Sequence, residues 1–539
     1  MNDPSTTAAD AEPATERRPR VTWWLGLALC VLPASLLAAC SLASDDDSAS
    51  SPPATTAAAD SNVTTEPTAT DDTRPVDTGA VDDPAPSEAA PSEATPGEAD
   101  PAPISFAADI EPIITSTCAN CHTGNGPGTQ HVRLDTAGIV ARSSLGIDFV
   151  VQSHFMPPWP AGDDSVDFDH DWSLSDDEIA LLSAWHEAGA PLDVPTDHVI
   201  APLPGASARL DDPDISVRSR GSYDGELGQP DTYRCMVYDP AFDSSGFVTG
   251  MDFVPEQEQV VHHAVGFVLE AADRELVDGL DGVDGQGGWE CFGFSPGPTA
   301  RLIYAWAPGQ SATRYDDGAG LLLDDGDFFV VQTHYHYDVE APADQSRLDL
   351  DWVPIDEAEG LDPVDVQVLL APAEIPCSAD ETGPLCDREA ARQVAIDKYG
   401  PPGAFADFIL AICGQSADDF AGFTEGVANA SCDQTIGTSG EIHSIFGHQH
   451  ELGSSFRLIL HPDTPDEVVL LDIPVWDFDW QLNYEPAESI VLERGDVIRM
   501  ECSWDRSLRD PALEPAYVLW ADGTDDEMCF ASLTTRPVR

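Results

Sequence analysis

The sequence predicts a multidomain chain in which one small all-α domain is followed by two all-β domains of the β-sandwich, or jelly-roll, type. Three observations lead to this fold class. The 539 residues exceed the length that one hydrophobic core usually supports, about 250 residues, so several domains are expected. Apolar residues recur at helical spacing between 104 and 194. From about 201 onward, short β-rich runs alternate with Gly, Pro and Asp turns.

The N-terminus resembles a bacterial lipoprotein signal. Three arginines between 17 and 20 precede an apolar stretch, 21–39, that closes on the letters LAAC at Cys40. A small-residue cleavage site that ends in cysteine lets the thiol receive a lipid, so we expect residues 1–40 to be a signal peptide and Cys40 to be lipidated. A retained transmembrane helix is the alternative, but Pro33 and the lack of a basic flank after Cys40 count against it. The expected location is the bacterial cell envelope, with the exported protein anchored to the membrane by lipid.

Residues 41–103 predict a disordered linker, since they consist of Ala, Pro, Ser, Thr, Asp and Glu with almost no large apolar residue. The whole chain has 24 basic and 97 acidic residues, a net charge of −73. This balance excludes the basic groove that phosphate backbones require, so no nucleic acid partner is expected. The acidic residues are spread over every segment, which is typical of a well-solvated surface.

The sequence CANCH, in which Cys118, Cys121 and His122 form a CxxCH motif, predicts one covalently attached haem c. In a CxxCH sequence two thiols add to the haem vinyl groups and the histidine binds the iron. A zinc half-site or a redox dithiol would use similar letters, but no second CxxC completes a tetrahedral site. Met156, followed by two prolines in a later loop, is expected as the distal ligand, with His154 as its competitor. Residues 104–200 therefore resemble a small cytochrome c domain.

Two helices are predicted on either side of this loop. Phe106, Ile110 and Ile113 recur at helical spacing and lead into the CxxCH sequence. Downstream, Ser175 and Glu178 form a capping box that opens an amphipathic helix ending near 189.

Eight further cysteines predict up to four disulfides, because the chain is expected to be exported. The number of cysteines alone does not determine which of them pair. The pairs that we expect are Cys235 with Cys291, Cys377 with Cys386, Cys413 with Cys432, and Cys502 with Cys529. Possible helices at 387–399 and 404–412 fall in a cysteine-bearing insertion, 374–435.

Seven of the fourteen histidines cluster in the β region, at His262, His263, His334, His336, His443, His448 and His450. Residues i and i+2 share a face of a strand, so the last two of these can bind one metal, as can the pair at 334 and 336. The adjacent pair at 262 and 263 can reach one ion only at a strand end or a bulge. Imidazole-rich sites with few carboxylates suit copper or zinc, and a thioether ligand favours copper.

The order of these motifs resembles the copper type II, ascorbate-dependent monooxygenases, which include the peptidylglycine α-hydroxylating and dopamine β-monooxygenases. The resemblance spans about 230–533 and is carried by the letters VHHAV, QTHY, HQHELG and DEMC. It implies two jelly-roll domains, 201–345 and 346–539, that each hold one copper ion. The electron-transfer copper would be bound by His262, His263 and His334, and the catalytic, oxygen-activating copper by His448, His450 and Met528.

The resemblance implies a copper-dependent monooxygenase that hydroxylates a C–H bond of a small organic substrate with O2. The fused haem, which the best-known family members lack, suggests that electrons arrive through iron bound by His122 and Met156 instead of, or as well as, from ascorbate. Ascorbate or a redox protein is the expected electron donor. Phe446 stands where the peptidylglycine enzyme has a substrate-binding arginine, so a peptide carboxylate is not expected as substrate. His336 and His443 have no family role, although His336 could support or replace His334 as a ligand.

Two other functions are compatible with these patterns. One is a copper- and haem-binding protein of electron transfer or metal handling that has no oxygenase turnover. The other is a plain β-sandwich binding module with a cytochrome attached, which would bind no stoichiometric copper. O2 uptake coupled to product formation separates the enzyme from the first of these, and copper content separates it from the second.

Overall fold

The computed structural model describes residues 103–538, except 125, 170, 204–208, 226–230, 294–296, 309, 316–317, 338–341 and 425. The predicted signal peptide, Cys40 and all but the last residue of the predicted linker lie outside the described residues. The described chain is mostly β-sheet, arranged in sandwich-like pairs of sheets, with few helices. No helix among the described residues combines the length and the apolar composition that a membrane crossing needs.

The first described part of the chain is helical and has its own small core. A helical stretch over 106–122 alternates between α- and π-type hydrogen bonding and includes α1 (Glu111–Ile113) and α2 (Ala119–His122). Two longer helices follow, α3 (Ala137–Gln152) and α4 (Asp176–Glu187). Helix α4 begins at the predicted capping box, in which the Ser175 hydroxyl accepts the Glu178 amide N–H and the Glu178 carboxylate accepts the Ser175 amide N–H. The core contains the residues that the helical spacing marked as apolar, among them Phe106, Ile110, Ile113, Leu182 and Trp185.

The next strands form a first group of sheets. A six-stranded sheet has the order β1-β12-β4-β9-β13, with β8 beside β4, and a five-stranded sheet has the order β6-β3-β10-β5-β7. Strands β2 and β11 form a separate pair, and helix α5 (Arg274–Leu280) follows β5. The strands are β1 (Ile215–Arg218), β2 (Tyr223–Asp224), β3 (Asp231–Tyr238), β4 (Gly246–Val254), β5 (Val261–Leu269), β6 (Trp289–Glu290), β7 (Arg301–Trp306), β8 (Thr313–Arg314), β9 (Ala319–Leu323), β10 (Phe328–His336), β11 (Ala343–Asp344), β12 (Arg347–Pro354) and β13 (Asp362–Pro363).

The boundary predicted between 345 and 346 falls inside this first group. Strand β12 pairs with β4 along its whole length and with β1 over four residues, and β13 pairs with β9. The first group therefore continues to 363. Large apolar side chains from both of its sheets meet in one core, for example Phe253, Phe329 and Leu350, since each sheet buries one face against the other.

A second group of sheets follows. One sheet has the order β14-β24-β17-β20, with β21 beside β17, a second has the order β16-β22-β18-β19, and β15 pairs with β23. Strand β22 buries every second residue, as expected for a strand with one face in a core. The strands are β14 (Asp365–Leu370), β15 (Glu374–Ile375), β16 (Val427–Thr435), β17 (Gly440–His448), β18 (Gly453–Leu460), β19 (Val468–Ile473), β20 (Asn483–Tyr484), β21 (Val491–Leu492), β22 (Val497–Asp505), β23 (Val518–Leu519) and β24 (Phe530–Arg536).

Both predicted helices of the insertion are present, as α6 (Arg388–Tyr399) and α7 (Phe405–Ile412). The four expected disulfides are also present, which confirms the pairing: Cys235–Cys291, Cys377–Cys386, Cys413–Cys432 and Cys502–Cys529. Cys118 and Cys121 are free thiols.

Candidate metal centre

Three histidines of the first group of sheets point their Nδ1 atoms towards one another. His262 and His263 lie on β5 and His334 lies on the neighbouring strand β10. The Nδ1 atom of His263 is 3.3 Å from the Nδ1 atoms of both His262 and His334. One ligand atom from each of the three rings lies within 4.8 Å of the others, which is the arrangement that a shared metal ion needs.

A β-bulge brings the adjacent histidines onto one site. His334 pairs with His263, whereas Tyr335 pairs with Val261, so His262 is the extra residue of β5. A bulge re-aims a side chain that would otherwise point to the opposite face of the sheet. The irregularity that the sequence required is therefore present at the predicted position.

Asp231, which the sequence analysis did not single out, orients this histidine group. Its Oδ1 atom lies 2.9 Å from His334 Nε2 and 2.9 Å from His336 Nδ1. An Nε2–H that donates to the carboxylate leaves the Nδ1 lone pair of His334 directed at the other two rings. Burial opposes ionisation of Asp231, but the hydrogen bonds from both histidines bring its pKa below the usual range. His336 thus shares the carboxylate of His334 and does not join the three converging rings.

The second donor set lies where β17 ends and β24 begins. His448 is the last residue of β17, and His450 follows in the next turn, with the two ring centres 5.0 Å apart. His448 Nδ1 bonds to Gln481 Oε1, and His450 Nδ1 lies 3.1 Å from the carbonyl oxygen of Asp526. Because outer partners hold both Nδ1 atoms, Nε2 is the nitrogen that each ring can offer to a metal.

Glu527 joins the two segments that carry this donor set. Its carboxylate is fully buried and accepts the backbone N–H groups of His450 at 2.9 Å, Leu452 at 2.7 Å and Met528 at 3.2 Å, as well as Trp504 Nε1 at 2.9 Å. Burial raises the pKa of Glu527 to about 8, while the N–H donors favour the charged form. The sequence signal for this role is only its place beside the methionine in DEMC.

Both donor sets reach one cavity between the two groups of sheets. Its volume is about 80 Å³, and His263, His448, His450 and Met528 all contribute to its lining. The ring centres of His263 and His448 are 5.9 Å apart. The rest of the wall is largely apolar and includes Phe267, Leu302, Trp306, Phe446, Trp520 and Phe530. As far as the described residues define it, this lining contains no lysine or arginine.

Four histidines of the two donor sets are uncharged at neutral pH. Burial, reinforced by neighbouring histidines, lowers the pKa of His334 to about 4 and that of His448 to about 4. The same causes hold the pKa values of His263 and His450 well below the ordinary range. A metal binds the neutral imidazole, so these nitrogens are available without a prior loss of protons.

A loop of the second group, residues 477–481, contacts histidines of both sets. Phe478 stacks on His262 with ring centres 4.7 Å apart and lies 6.1 Å from the ring of His450. Asp479 Oδ1 is 3.8 Å from His262 Nε2. Gln481 of the same loop binds His448. This role is not visible in the sequence, because it depends on how the two groups of sheets meet.

The predicted haem residues lie in two parts of the helical region, the CxxCH sequence at α2 and the loop after α3. His122 lies in α2 with its Nδ1 atom 2.9 Å from the carbonyl oxygen of Val132, which leaves Nε2 free to bind iron. Gly128 faces the same ring so closely that a Cβ atom would lie 2.6 Å from its Cε1. Burial raises the pKa of Cys118 to about 12 and that of Cys121 to about 11. Met156 is half-buried in the loop after α3.

Comparisons with known proteins assign no family. No protein-family model matches the sequence, and no curated protein matches it. A solved structure of allantoicase shares 9% identity, with a TM-score of 0.14, and covers 59% of this chain and 81% of its own. Oxalate decarboxylase from Bacillus subtilis shares 8%, with a TM-score of 0.11, and covers 60% and 74%. Likenesses this weak carry no argument about fold or function.

Proposed function

We propose that this protein is a copper-dependent monooxygenase that hydroxylates a C–H bond of a small organic molecule with O2. Electrons are received through a covalently attached haem. The observation that carries the proposal is that two unlike donor sets meet at one cavity, which is lined by His263 of one set and by His448, His450 and Met528 of the other. Three imidazole nitrogens form one set, and two imidazoles with the half-buried Met528 form the other. Imidazole and thioether donors without carboxylates suit copper.

The chain contributes ligand orientation and a shielded cavity. Two copper ions, one at each donor set, would supply the one-electron redox chemistry and the O2 activation that side chains lack. His262, His263 and His334 would hold the electron-transfer copper, and His448, His450 and Met528 the catalytic copper. Asp231 and Gln481 fix the tautomers of the ligands that they touch. The largely apolar, aromatic lining makes the cavity a poor environment for water, which would limit side reactions at a reactive site.

The cavity favours an uncharged, largely apolar substrate. Phe446 is 5% exposed, and its ring centre lies 6.3 Å from that of His448. A carboxylate placed here would be desolvated without a cation among the described lining residues, which is costly. Hydroxylation inserts one oxygen atom into the C–H bond and releases the other as water, with two electrons and two protons consumed.

The helical region suits a c-type haem. Cys118 and Cys121 stay unpaired while eight other cysteines form disulfides, and His122 has Nε2 free beside a glycine that leaves room at the ring. We propose that residues 104–200 form a cytochrome c domain in which Met156 is the distal ligand. Export and lipid attachment at Cys40 would place the enzyme at the cell envelope, with ascorbate or a redox protein as electron donor.

Metal analysis of the full chain, made in a host that attaches c-type haem, tests the proposal. We expect two copper ions and one iron per chain, and loss of one copper in His263→Ala or His450→Ala. His461→Ala is the matched control, since that histidine pairs with Asp496 on the surface. Iron without copper would refute the monooxygenase. Full copper without any substrate-coupled O2 uptake would favour an electron-transfer protein instead.

A further inference from the structure

A segment after α3 attaches the helical region to the second group of sheets. We call residues 157–169 together with Trp172 the docking segment. The Gly162 N–H donates to the Asp472 carbonyl at 2.8 Å, and the Val166 N–H donates to the Val469 carbonyl at 3.1 Å. Both acceptors lie on β19, the edge strand of its sheet. The docking segment therefore satisfies backbone groups that an edge strand otherwise exposes.

Aromatic packing holds the docking segment in place. Trp159 and Phe168 lie 5.3 and 5.0 Å, between ring centres, from Tyr484 of β20, and Trp172 lies 5.9 Å from Trp159. Tyr484 is 1% exposed and belongs to the core of the second group. Aromatic rings bury large apolar areas, so this attachment is part of the fold and not a loose tether.

The docked helical region contacts the loop that holds the histidines. Phe155, which directly precedes Met156, lies edge-on to Trp480 with ring centres 6.5 Å apart. Trp480 adjoins Gln481, the partner of His448. The same loop stacks Phe478 on His262 of the other donor set. One loop thus touches the predicted haem loop on one side and both metal-ligand sets on the other.

We infer that loop 477–481 is the route by which electrons pass from the helical region to the metal centre, with Trp480 as the contact residue. The inference rests on the proposed function. In that step one electron would leave a ferrous haem iron, which would become ferric, and would reduce a cupric ion to cuprous, with no proton or ligand transferred. The docking segment keeps the donor and acceptor regions at a fixed separation, so no domain movement is needed for this step.

Flash reduction of the haem in the fully loaded, oxidised holoprotein, without substrate or O2, tests the route. The haem absorbance reports how fast the electron leaves the iron. We expect Trp480→Ala to slow this decay severalfold without changing its final extent, and Trp480→Phe to restore most of the rate. Phe149→Ala is the control, because Phe149 is an exposed phenylalanine of α3, 72% exposed, on the same helical region as Phe155.

Three outcomes would overturn the inference. A wild-type rate in Trp480→Ala overturns it and leaves the proposed function standing. A changed copper paramagnetic resonance spectrum in that variant shows that Trp480 acts on ligand geometry and not as a route. Absence of any copper-dependent decay in the wild-type protein overturns both the route and the proposed function. Backbone hydrogen exchange at Gly162 and Val166, slow with or without metals, is expected in every variant, and fast exchange would contradict the docked arrangement.

Discussion

Replacing Glu527 tests whether a buried carboxylate assembles the donor set of His450 and Met528. Its Oε1 atom accepts the Leu452 N–H, and its Oε2 atom accepts the other N–H donors, including that of Trp504. Above its pKa of about 8, where the comparison is to be made, Glu527 offers two acceptor oxygens, whereas glutamine has one acceptor oxygen and one NH2 group. In either orientation at least one buried N–H donor then faces another donor, and an unsatisfied buried group costs about 1–3 kcal/mol.

The free-energy cost of Glu527→Gln is smallest if the glutamine oxygen takes the position of Oε2. The Leu452 amide alone then loses its acceptor, and the turn after β17 opens about 5- to 150-fold more often, which is the same free energy expressed as a ratio. Alanine removes the acceptor from every donor, so Glu527→Ala costs more than Glu527→Gln. We expect the alanine variant to lose the copper of this donor set and to keep the copper of the three-histidine set.

Amide hydrogen exchange of the metal-free chain measures the first effect, and copper content of the loaded chain measures the second. Glu501→Gln is the control, because Glu501 lies on the outward face of β22, the strand that also carries Trp504. Unchanged exchange at Leu452 in both variants of Glu527 would refute the reasoning. So would full retention of both coppers by Glu527→Ala.

Three further substitutions follow from the same contacts. Asp231→Ala removes the acceptor that fixes His334, so copper affinity of the three-histidine set should fall about 10- to 100-fold in a competition titration. Cys529→Ser opens the loop of 27 residues to Cys502 and should lower the unfolding free energy by about 3–4 kcal/mol in urea. Burial opposes ionisation of Glu381, but its buried arginine partner holds the pKa at about 2 instead of 4.5. Its ion pair therefore stabilises the fold above pH 4.5, and Glu381→Gln should cost about 2–3 kcal/mol at pH 7 and progressively less as the pH falls towards 2.

Local patterns predicted local structure well. The capping box at Ser175 begins α4, and both helices of the insertion lie in the ranges predicted for them. The sequence required a strand end or a bulge at 262–263 if both histidines were to reach one ion, and the structure has a bulge at His262. In each case the interactions that determine the local structure act between residues close in sequence, so a single sequence is sufficient to predict them.

Long-range pairing was harder to predict. The second domain was expected to begin at 346, but β12 completes a sheet with strands about one hundred residues earlier, and nothing in its own letters shows this. Asp231, Gln481 and Glu527 escaped notice for the same reason. Each is one among many polar residues in an acidic chain, and its partner lies on a distant strand.

The carboxylates around the cavity have a common explanation. A cluster of buried neutral imidazoles needs no counter-charge when metal-free, but two bound cations in a poorly solvated cavity would need one. Asp231 touches His334, and Asp479 lies 3.8 Å from His262. On the other side, burial and a neighbouring carboxyl at 526 raise the pKa of Asp522, in the cavity wall, to about 7. A bound cation would favour ionisation of Asp522, so metal binding and carboxylate charge would stabilise each other. Carboxylates that do not themselves bind the metal can thus compensate its charge while the donor atoms remain nitrogen and sulfur.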